Sequence, residues 1–270
     1  MVWEKLKREL RCKNFGFGYP RPKVCILSQC GPKWLYLICT TVFLIYHLSW
    51  LCYDIFIHTE KGQADDALYF TKLPNWSYTL LITFSNLIDF ICTLSIHCRR
   101  KDILHQSKDE TVAMPWYSQL NWLFFEISNT IAAIITIGFY SFLKPVGTPL
   151  ALEYHAINSV YVLLSFFICS KPVRVLHFIY PEIYMVIYIV FTVIYQLGGN
   201  NPAIYWILDW NEPIRAMYTV LAVIFVAVPL VHMTFFGLHI LRDRIYKCCK
   251  KQQGIEDVEY EDKEVKEATV

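Results

Sequence analysis

The sequence predicts an all-α membrane protein, a six-span transmembrane helical bundle with cytosolic N- and C-termini. Of the 270 residues, 55% are hydrophobic and only 18% are charged, whereas a soluble domain carries about 25% charged residues. Six apolar stretches are long enough to cross a bilayer, which takes about 20 residues of helix. The Lys and Arg residues are concentrated in alternate connections, as the positive-inside rule describes.

The six predicted spans are separated by charged residues or by proline. They cover residues 34–57, 76–96, 122–143, 153–170, 175–197 and 216–240. The fourth span is short, and only Lys171-Pro172-Val173-Arg174 separates it from the fifth. The two charges and the helix-breaking proline favour a hairpin of two helices. The alternative, one broken helix, would give five spans.

The charge distribution predicts the orientation and the domain organisation. Residues 1–33, 97–121, 171–174 and those after 240 contain 21 of the 25 Lys and Arg residues, which places them on the cytosolic side. We expect a basic segment over 1–33 against the inner leaflet, a membrane domain over 34–240, and a tail over 241–270 that is basic, then acidic and disordered. Residues 1–33 lack the apolar core of a signal peptide, so the first span is expected to be an uncleaved anchor.

The ten cysteines are expected to be free thiols. None lies in a predicted outer loop, and the cytosol keeps thiols reduced. Most are interpreted as small buried apolar side chains. Three of them lie beside the membrane next to basic residues and are candidates for palmitoylation: Cys98, Cys248 and Cys249.

Polar side chains at membrane depth are costly and are therefore candidates for function. An inner group, near the predicted cytosolic face, consists of Asp89, Glu126, Asn129, Glu182 and His232, together with His177. One interpretation is that these groups hydrogen-bond to one another between helices. The other is that they line an ion or proton path.

An outer group lies near the opposite face and centres on EYHAINSV, residues 153–160. His155 and Asn158 are three residues apart and share a helix face. The other members are His47, Asp54, Ser77, Thr79, Thr83 and Glu153. A hydroxyl, a histidine and a carboxylate at one depth could perform nucleophilic acyl transfer, or could simply join helices. A zinc site built from His47, Asp54 and His155 is a weaker alternative, and no metal or cofactor is predicted.

Four segments carry a family resemblance. They are PKVCILSQC (22–30), LPNWSYTLL (73–81), YHAINSVYVLL (154–164) and the long run from PVRVLHFIYPEIY to LDWNEP (172–213). With them, residues 5–246 resemble the rolling stone proteins of animals. More distantly, the chain is similar to the androgen-induced membrane hydrolases, which cleave fatty acyl esters.

The resemblance implies two different functions. Rolling stone proteins are associated with myoblast fusion. The hydrolases use an intramembrane threonine as nucleophile and a histidine as its partner, and that histidine corresponds to His155. The threonine position falls on Pro74 in Leu73-Pro74-Asn75-Trp76. The nucleophile would then be Thr79, inside the predicted helix near the depth of His155, with Thr71 as the alternative.

These observations lead to one expected function and one alternative. We expect a non-enzymatic multi-pass protein of the plasma membrane or an endomembrane, acting at the cell surface or in cell fusion. The alternative is an intramembrane threonine-type hydrolase of fatty acyl esters that uses Thr79 and His155, with His47, Asp54 and Asn158 in support. The expected partners are the lipid bilayer, a fatty acyl lipid in the alternative, and a protein bound at outer loops such as 208–213; no nucleic acid is expected.

Overall fold

The structure is a computed structural model that describes residues 6–7, 9–61, 71–107, 110–142 and 148–252, with the backbone alone for 58–61 and 248–252. Six of its helices are long and apolar enough to span a membrane. They are α1 (Leu35–Lys61), α2 (Leu73–Arg99), α3 (Trp116–Phe142), α4 (Pro149–Ile168), α5 (Val175–Gly198) and α6 (Pro213–Lys247), with α6 continuing to Gln252. The predicted six-span helical architecture is therefore confirmed. The acidic part of the tail, residues 253–270, lies outside the described residues.

Proline marks the first turn of three spans. Pro74 begins α2 one turn earlier than predicted, Pro149 begins α4, and Pro213 begins α6. Proline suits this position because its missing N–H would have no partner inside the helix. At α4 the hydroxyl of Thr148 accepts from the backbone N–H of Ala151 at 3.2 Å, which is a standard N-cap.

Four of the spans contain a wide π-helical turn. These turns cover Ser77–Thr83 in α2, Glu153–Ile157 in α4, Ile194–Gly198 in α5 and Val223–Ala227 in α6. Such turns are rare and are frequent at functional sites. Two of them hold the candidate residues Thr79 and His155.

The bundle is organised around α2 and α3. About half of each apolar window is buried, 50% in α2 and 56% in α3, against 22% in α1 and in α6. The largest core cluster includes Trp122, Tyr78 and Phe166. Large apolar side chains on the outer helices, such as Ile45 and Phe225, are exposed, as expected for surfaces that face lipid.

The N-terminal segment packs into one end of the bundle rather than lying beside it. Gln29 N–H donates to the Ile168 carbonyl at 2.8 Å, and Ser170 N–H donates to the Leu27 carbonyl at 3.0 Å. Cys25 and Ile26 are completely buried. We call residues 15–30 the strap, and the end of the bundle that they cover the strap end.

Both described chain ends lie at the strap end. Arg242, near the end of α6, donates to the Lys171 carbonyl at 2.8 Å, and Arg174 donates to the Gly16 carbonyl of the strap at 2.9 Å. The connection between α2 and α3 lies at the same end, because Lys23 of the strap donates to the Gln106 carbonyl at 2.7 Å. That this end faces the cytosol remains a prediction from charge.

Candidate functional site

The outer polar group forms a network around one buried carboxylate. Glu153 lies in the π turn of α4 and is 1% exposed. It accepts from the Tyr46 hydroxyl at 2.6 Å and from the Tyr78 hydroxyl at 3.0 Å. His47 Nδ1 lies 3.0 Å from the same Tyr78 hydroxyl. We call these four residues the outer network. Its hydrogen bonds join α4 to α1 and α2.

Two further pairs extend this layer of the bundle. Asp54 accepts from the Tyr154 hydroxyl at 2.6 Å, which joins α1 to α4. Asn158 donates to the Tyr154 carbonyl of its own helix at 2.7 Å, and its Oδ1 accepts from the Thr136 hydroxyl of α3 at 3.4 Å. Both supporting residues thus join α4 to a neighbouring helix.

His155 faces α3 rather than the outer network. Its ring stacks on Phe139 with a centroid separation of 3.7 Å, and its carbonyl accepts from the Thr136 hydroxyl at 2.5 Å. Its Nδ1 is buried and has no hydrogen-bond partner among the described residues. This nitrogen is the atom of the site that is best placed to take part in a reaction. A buried polar group without a hydrogen bond costs free energy, so its presence suggests a role besides stability.

The candidate nucleophiles do not reach this histidine. Among the residues that the structure describes, no hydrogen bond joins Thr79 to His155, and Thr79 is half-buried in the π turn of α2. Thr71 precedes α2, and its carbonyl accepts from the Tyr188 hydroxyl at 2.9 Å. Pro74, at the position where the resemblance expects the nucleophile, is buried in the first turn of α2.

The inner polar group separates into two centres. In the first, Asp89 accepts from the Tyr36 hydroxyl at 2.6 Å and from Asn121 Nδ2 at 2.8 Å. Lys171 Nζ lies 2.9 Å from Asp89 Oδ2, the oxygen that also accepts from Tyr36, and Lys171 is 1% exposed. Burial alone would lower the pKa of Lys171, but the Asp89 carboxylate raises it above its usual value. The result is a buried ion pair with hydrogen bonds on both partners.

The second inner centre surrounds Glu126 of α3. Its carboxylate accepts from Trp122 Nε1 at 3.2 Å and lies 3.1 Å from His177 Nδ1. His232 lies close by, where Nε2 faces the Arg174 carbonyl at 2.9 Å and Nδ1 faces the Thr130 hydroxyl at 3.2 Å.

Two of the predicted inner residues stay outside these centres. Asn129 is buried, and its side-chain nitrogen has no partner in the described structure. Glu182 is half-buried on α5. The polar residues of the inner level therefore form separate bonded clusters, and no described hydrogen bond connects the Asp89 centre with the Glu126 centre.

Sequence reasoning missed most of the partners. The tyrosines 36, 46, 78 and 154 were counted as apolar, yet their hydroxyls donate to Asp54 of α1, Asp89 of α2 and Glu153 of α4. Lys171 and Arg242 were counted as charges outside the spans, yet both are buried. One feature of the sequence could have identified these partners: each tyrosine lies at a depth similar to that of an acidic residue on another span.

The described residues contain no arranged set of metal ligands and no disulfide bond. No group of three His, Cys, Asp or Glu residues in the described part of the chain is arranged to hold a metal ion, so the zinc alternative gains no support. The eight cysteines whose side chains are described are free, and Cys98 is exposed at the end of α2. The side chains of Cys248 and Cys249 lie outside the described residues.

The comparisons with known proteins agree with the architecture. The family model described as protein rolling stone matches residues 2–251. This chain belongs to the rolling stone family. It is similar to protein rolling stone of Drosophila melanogaster, with 28% identity over 254 residues that cover 88% of this chain and 90% of that protein. No solved structure matches the chain. Together, the family and the six apolar helices identify a multi-pass membrane protein of the rolling stone type.

Proposed function

We propose that this chain is a non-enzymatic membrane protein that acts at the cell surface in cell fusion, as in the fusion of myoblasts. The observation that carries the proposal is Pro74, which falls where the resemblance to the hydrolases places their nucleophile and which lies in the first turn of α2. Proline has no hydroxyl. A replacement nucleophile would need a base within hydrogen-bond reach, about 2.6–3.2 Å, and Thr79 makes no such bond to His155 in the described structure.

The hydrogen bonds of the polar side chains support the same interpretation. Asp54, Glu153, Asp89 and Glu126 are buried acidic residues, and each contacts a tyrosine or a histidine from another helix. Such bonds hold transmembrane helices together and need no substrate. The outer connection before α6 offers a surface for a protein partner, since Trp206 is 55% exposed.

That outer connection is held in a fixed shape. Gln196 donates to Asp209 at 2.6 Å, and Trp210 Nε1 donates to the Thr192 hydroxyl at 3.0 Å. The hydrogen bond from Gln196, followed by the one from the Asn211 backbone, lowers the pKa of Asp209. The carboxylate is therefore ionised at neutral pH and keeps the loop ordered beside the exposed tryptophan.

A fusion assay tests this proposal. Myoblasts that lack their own rolling stone relative would receive wild type, Thr79→Ala or His155→Ala, with surface levels matched by biotinylation. We expect all three to restore the number of multinucleate cells equally. If wild type at the surface leaves fusion unchanged, the proposed role is wrong. If only the two variants fail, the role is right and its non-enzymatic character is wrong.

One observation favours a second candidate, an acyl-ester hydrolase. The Nδ1 atom of His155 is buried without a partner among the described residues, and His155 and Thr79 both lie in π turns, which are frequent at functional sites. A fluorophosphonate probe on membranes would label an activated hydroxyl. Labelling of wild type that is lost in Thr79→Ala and in His155→Ala would establish the hydrolase, and loss only in Thr71→Ala would assign that residue. Absence of labelling, beside a hydrolase that labels, would support the non-enzymatic proposal.

A further inference from the structure

The strap is anchored to the bundle through its backbone carbonyls. Arg174, in the connection between α4 and α5, donates to the Gly16 carbonyl at 2.9 Å and to the Gly18 carbonyl at 3.2 Å. The Tyr180 hydroxyl donates to the Phe15 carbonyl at 2.5 Å. These contacts fix the beginning of the strap directly above the Glu126 centre.

An aromatic side chain inserts at the same point. The Phe17 ring lies 4.4 Å from the His177 ring and 4.8 Å from the Tyr180 ring, measured between centroids. It meets Trp122 edge to face at 5.4 Å. Phe17 thus fills the space between α3 and α5, and the strap closes the bundle over the buried polar groups.

His177 is the one titratable side chain that links the strap to a buried carboxylate in this cluster. Its Nδ1 lies 3.1 Å from Glu126 Oε1, and its Nε2 lies 3.4 Å from the Gly16 carbonyl. A carboxylate and a carbonyl only accept hydrogen bonds, whereas a neutral imidazole has a single N–H. Both bonds can therefore form together only when the ring carries two protons.

The other charged or titratable groups around His177 bond to other atoms and do not bridge Glu126 and Gly16. Arg174 points to Gly16 and Gly18, Tyr180 donates to Phe15, and His232 of α6 faces the Arg174 carbonyl. On the strap, burial raises the pKa of Tyr19, so its hydroxyl stays neutral. Glu126 is the acidic group that contacts the ring, through its Oε1 atom at His177 Nδ1.

We propose that His177 is a proton-dependent latch that holds the strap against the bundle. When the ring loses a proton, the remaining N–H stays with the Glu126 carboxylate, because hydrogen bonds to charged groups are the stronger ones. The Nε2 lone pair then faces the Gly16 carbonyl oxygen, and the strap loses one of its attachments. The strap therefore opens more often as the pH rises, whichever function the chain performs.

Cys25 gives a direct readout of strap opening. It lies in the strap and is completely buried, whereas Cys30 at the end of the strap is exposed. Because the Cys25 side chain is 0% exposed, N-ethylmaleimide reaches it only through the open form. Reporting Cys25 labelling relative to Cys30, residue by residue in mass spectrometry, removes the ordinary effect of pH on thiol reactivity.

The experiment uses the full chain in lipid nanodiscs. Between about pH 6 and about pH 8, the range in which histidine titrates, we expect relative labelling of Cys25 to increase about five- to tenfold, as the loss of one hydrogen bond implies. His177→Gln should show high labelling at both pH values. His105→Gln, a change at an exposed histidine of the same end, should behave like wild type. Arg174→Gln should raise labelling at both pH values and keep the pH response.

Two outcomes would overturn the latch. The first is relative labelling of Cys25 in wild type that does not change with pH. The second is a pH response that survives in His177→Gln. If that variant does not fold, hydrogen exchange of wild type replaces it. Amides of residues 15–30, corrected for the chemical exchange rate, should then lose protection with rising pH while amides of α3 do not, and equal behaviour of the two regions would also refute the proposal.

Discussion

The ammonium of Lys171 lies 2.9 Å from the carboxylate of Asp89, and this ion pair is buried at the strap end of the bundle. It joins α2 to the connection between α4 and α5, with Asn121 of α3 bonded to both partners at 2.8 and 3.0 Å. A buried ion pair of this kind carries a large desolvation cost, and removing one partner leaves an isolated charge. The pair is therefore a structural bond whose two halves should be strongly coupled.

The first prediction concerns that coupling. Lys171→Met should destabilise the protein by about 3–5 kcal/mol, because Asp89 would be left charged and buried. The double variant Asp89→Leu with Lys171→Met should recover at least half of this loss. Unfolding in mixed micelles, followed by tryptophan fluorescence, measures both. If Lys171→Met unfolds like wild type, Asp89 has another charge partner or is protonated, and an ion path through it regains support.

The second prediction concerns the two tyrosines on Glu153. Tyr78→Phe should cost about 1–3 kcal/mol, since it removes a buried donor from a carboxylate and also a partner of His47. Tyr46→Phe should cost less, because Tyr46 is 37% exposed and its removal leaves the contact between Tyr78 and His47 in place. The same unfolding measurement compares them. Equal losses would mean that Glu153 does not depend on the buried side of the network.

Much of this architecture was predictable, because the number of spans depends on apolar length, a property of local sequence. The separation of α4 from α5 at Pro172 followed from charge and proline in the same way. Helix rotation is different, since it is decided by contacts between segments far apart in the chain. That is why Asp54 and Glu153 were recognised as polar residues at one depth while their tyrosine partners were not.

The π turns and the strap are two further features that could not be predicted from the sequence. A π turn needs one extra residue in a helix, and nothing in SYTLLIT (77–83) or EYHAI (153–157) distinguishes it from an ordinary apolar helix. The basic residues of 1–33 predict a position at the inner leaflet, and this stays a prediction. The burial of the strap was not predictable, because it depends on a few residues, such as Phe17 and Cys25, whose partners lie on distant helices.

The third prediction compares Thr136, whose hydroxyl forms hydrogen bonds between helices, with Thr79, the candidate nucleophile. The Thr136 hydroxyl donates to the His155 carbonyl and lies 2.6 Å from the Ser159 hydroxyl, so Thr136→Val should destabilise the junction of α3 and α4 by about 1 kcal/mol. Thr79→Val, the same change at a half-buried position, should be nearly neutral in the same unfolding assay. A marked loss in Thr79→Val would show that its hydroxyl has a structural partner, which would weaken its candidacy as a nucleophile.

The fourth prediction concerns orientation. Because both described chain ends lie at the strap end, tags at the N-terminus and at the C-terminus should behave alike. Both should react with antibody only after the plasma membrane is permeabilised, as the distribution of Lys and Arg implies. A tag inserted at residue 65, in the connection between α1 and α2, should react in intact cells. Reaction of both terminal tags in intact cells would reverse the predicted orientation while leaving the fold unchanged.

The fifth prediction tests palmitoylation of Cys98. Its thiol is exposed at the end of α2 beside Arg99, whereas Cys92, nearly two turns earlier, is 2% exposed. Acyl transfer needs an accessible thiol close to the membrane surface, so Cys98→Ser should lower acylation measured by acyl–biotin exchange, and Cys92→Ser should not. Any signal that remains in Cys98→Ser is expected to disappear when Cys248 and Cys249 are also changed to serine. If acylation persists in that triple variant, the lipidated thiol lies elsewhere and the pairing of basic residues with juxtamembrane cysteine is not the recognition feature.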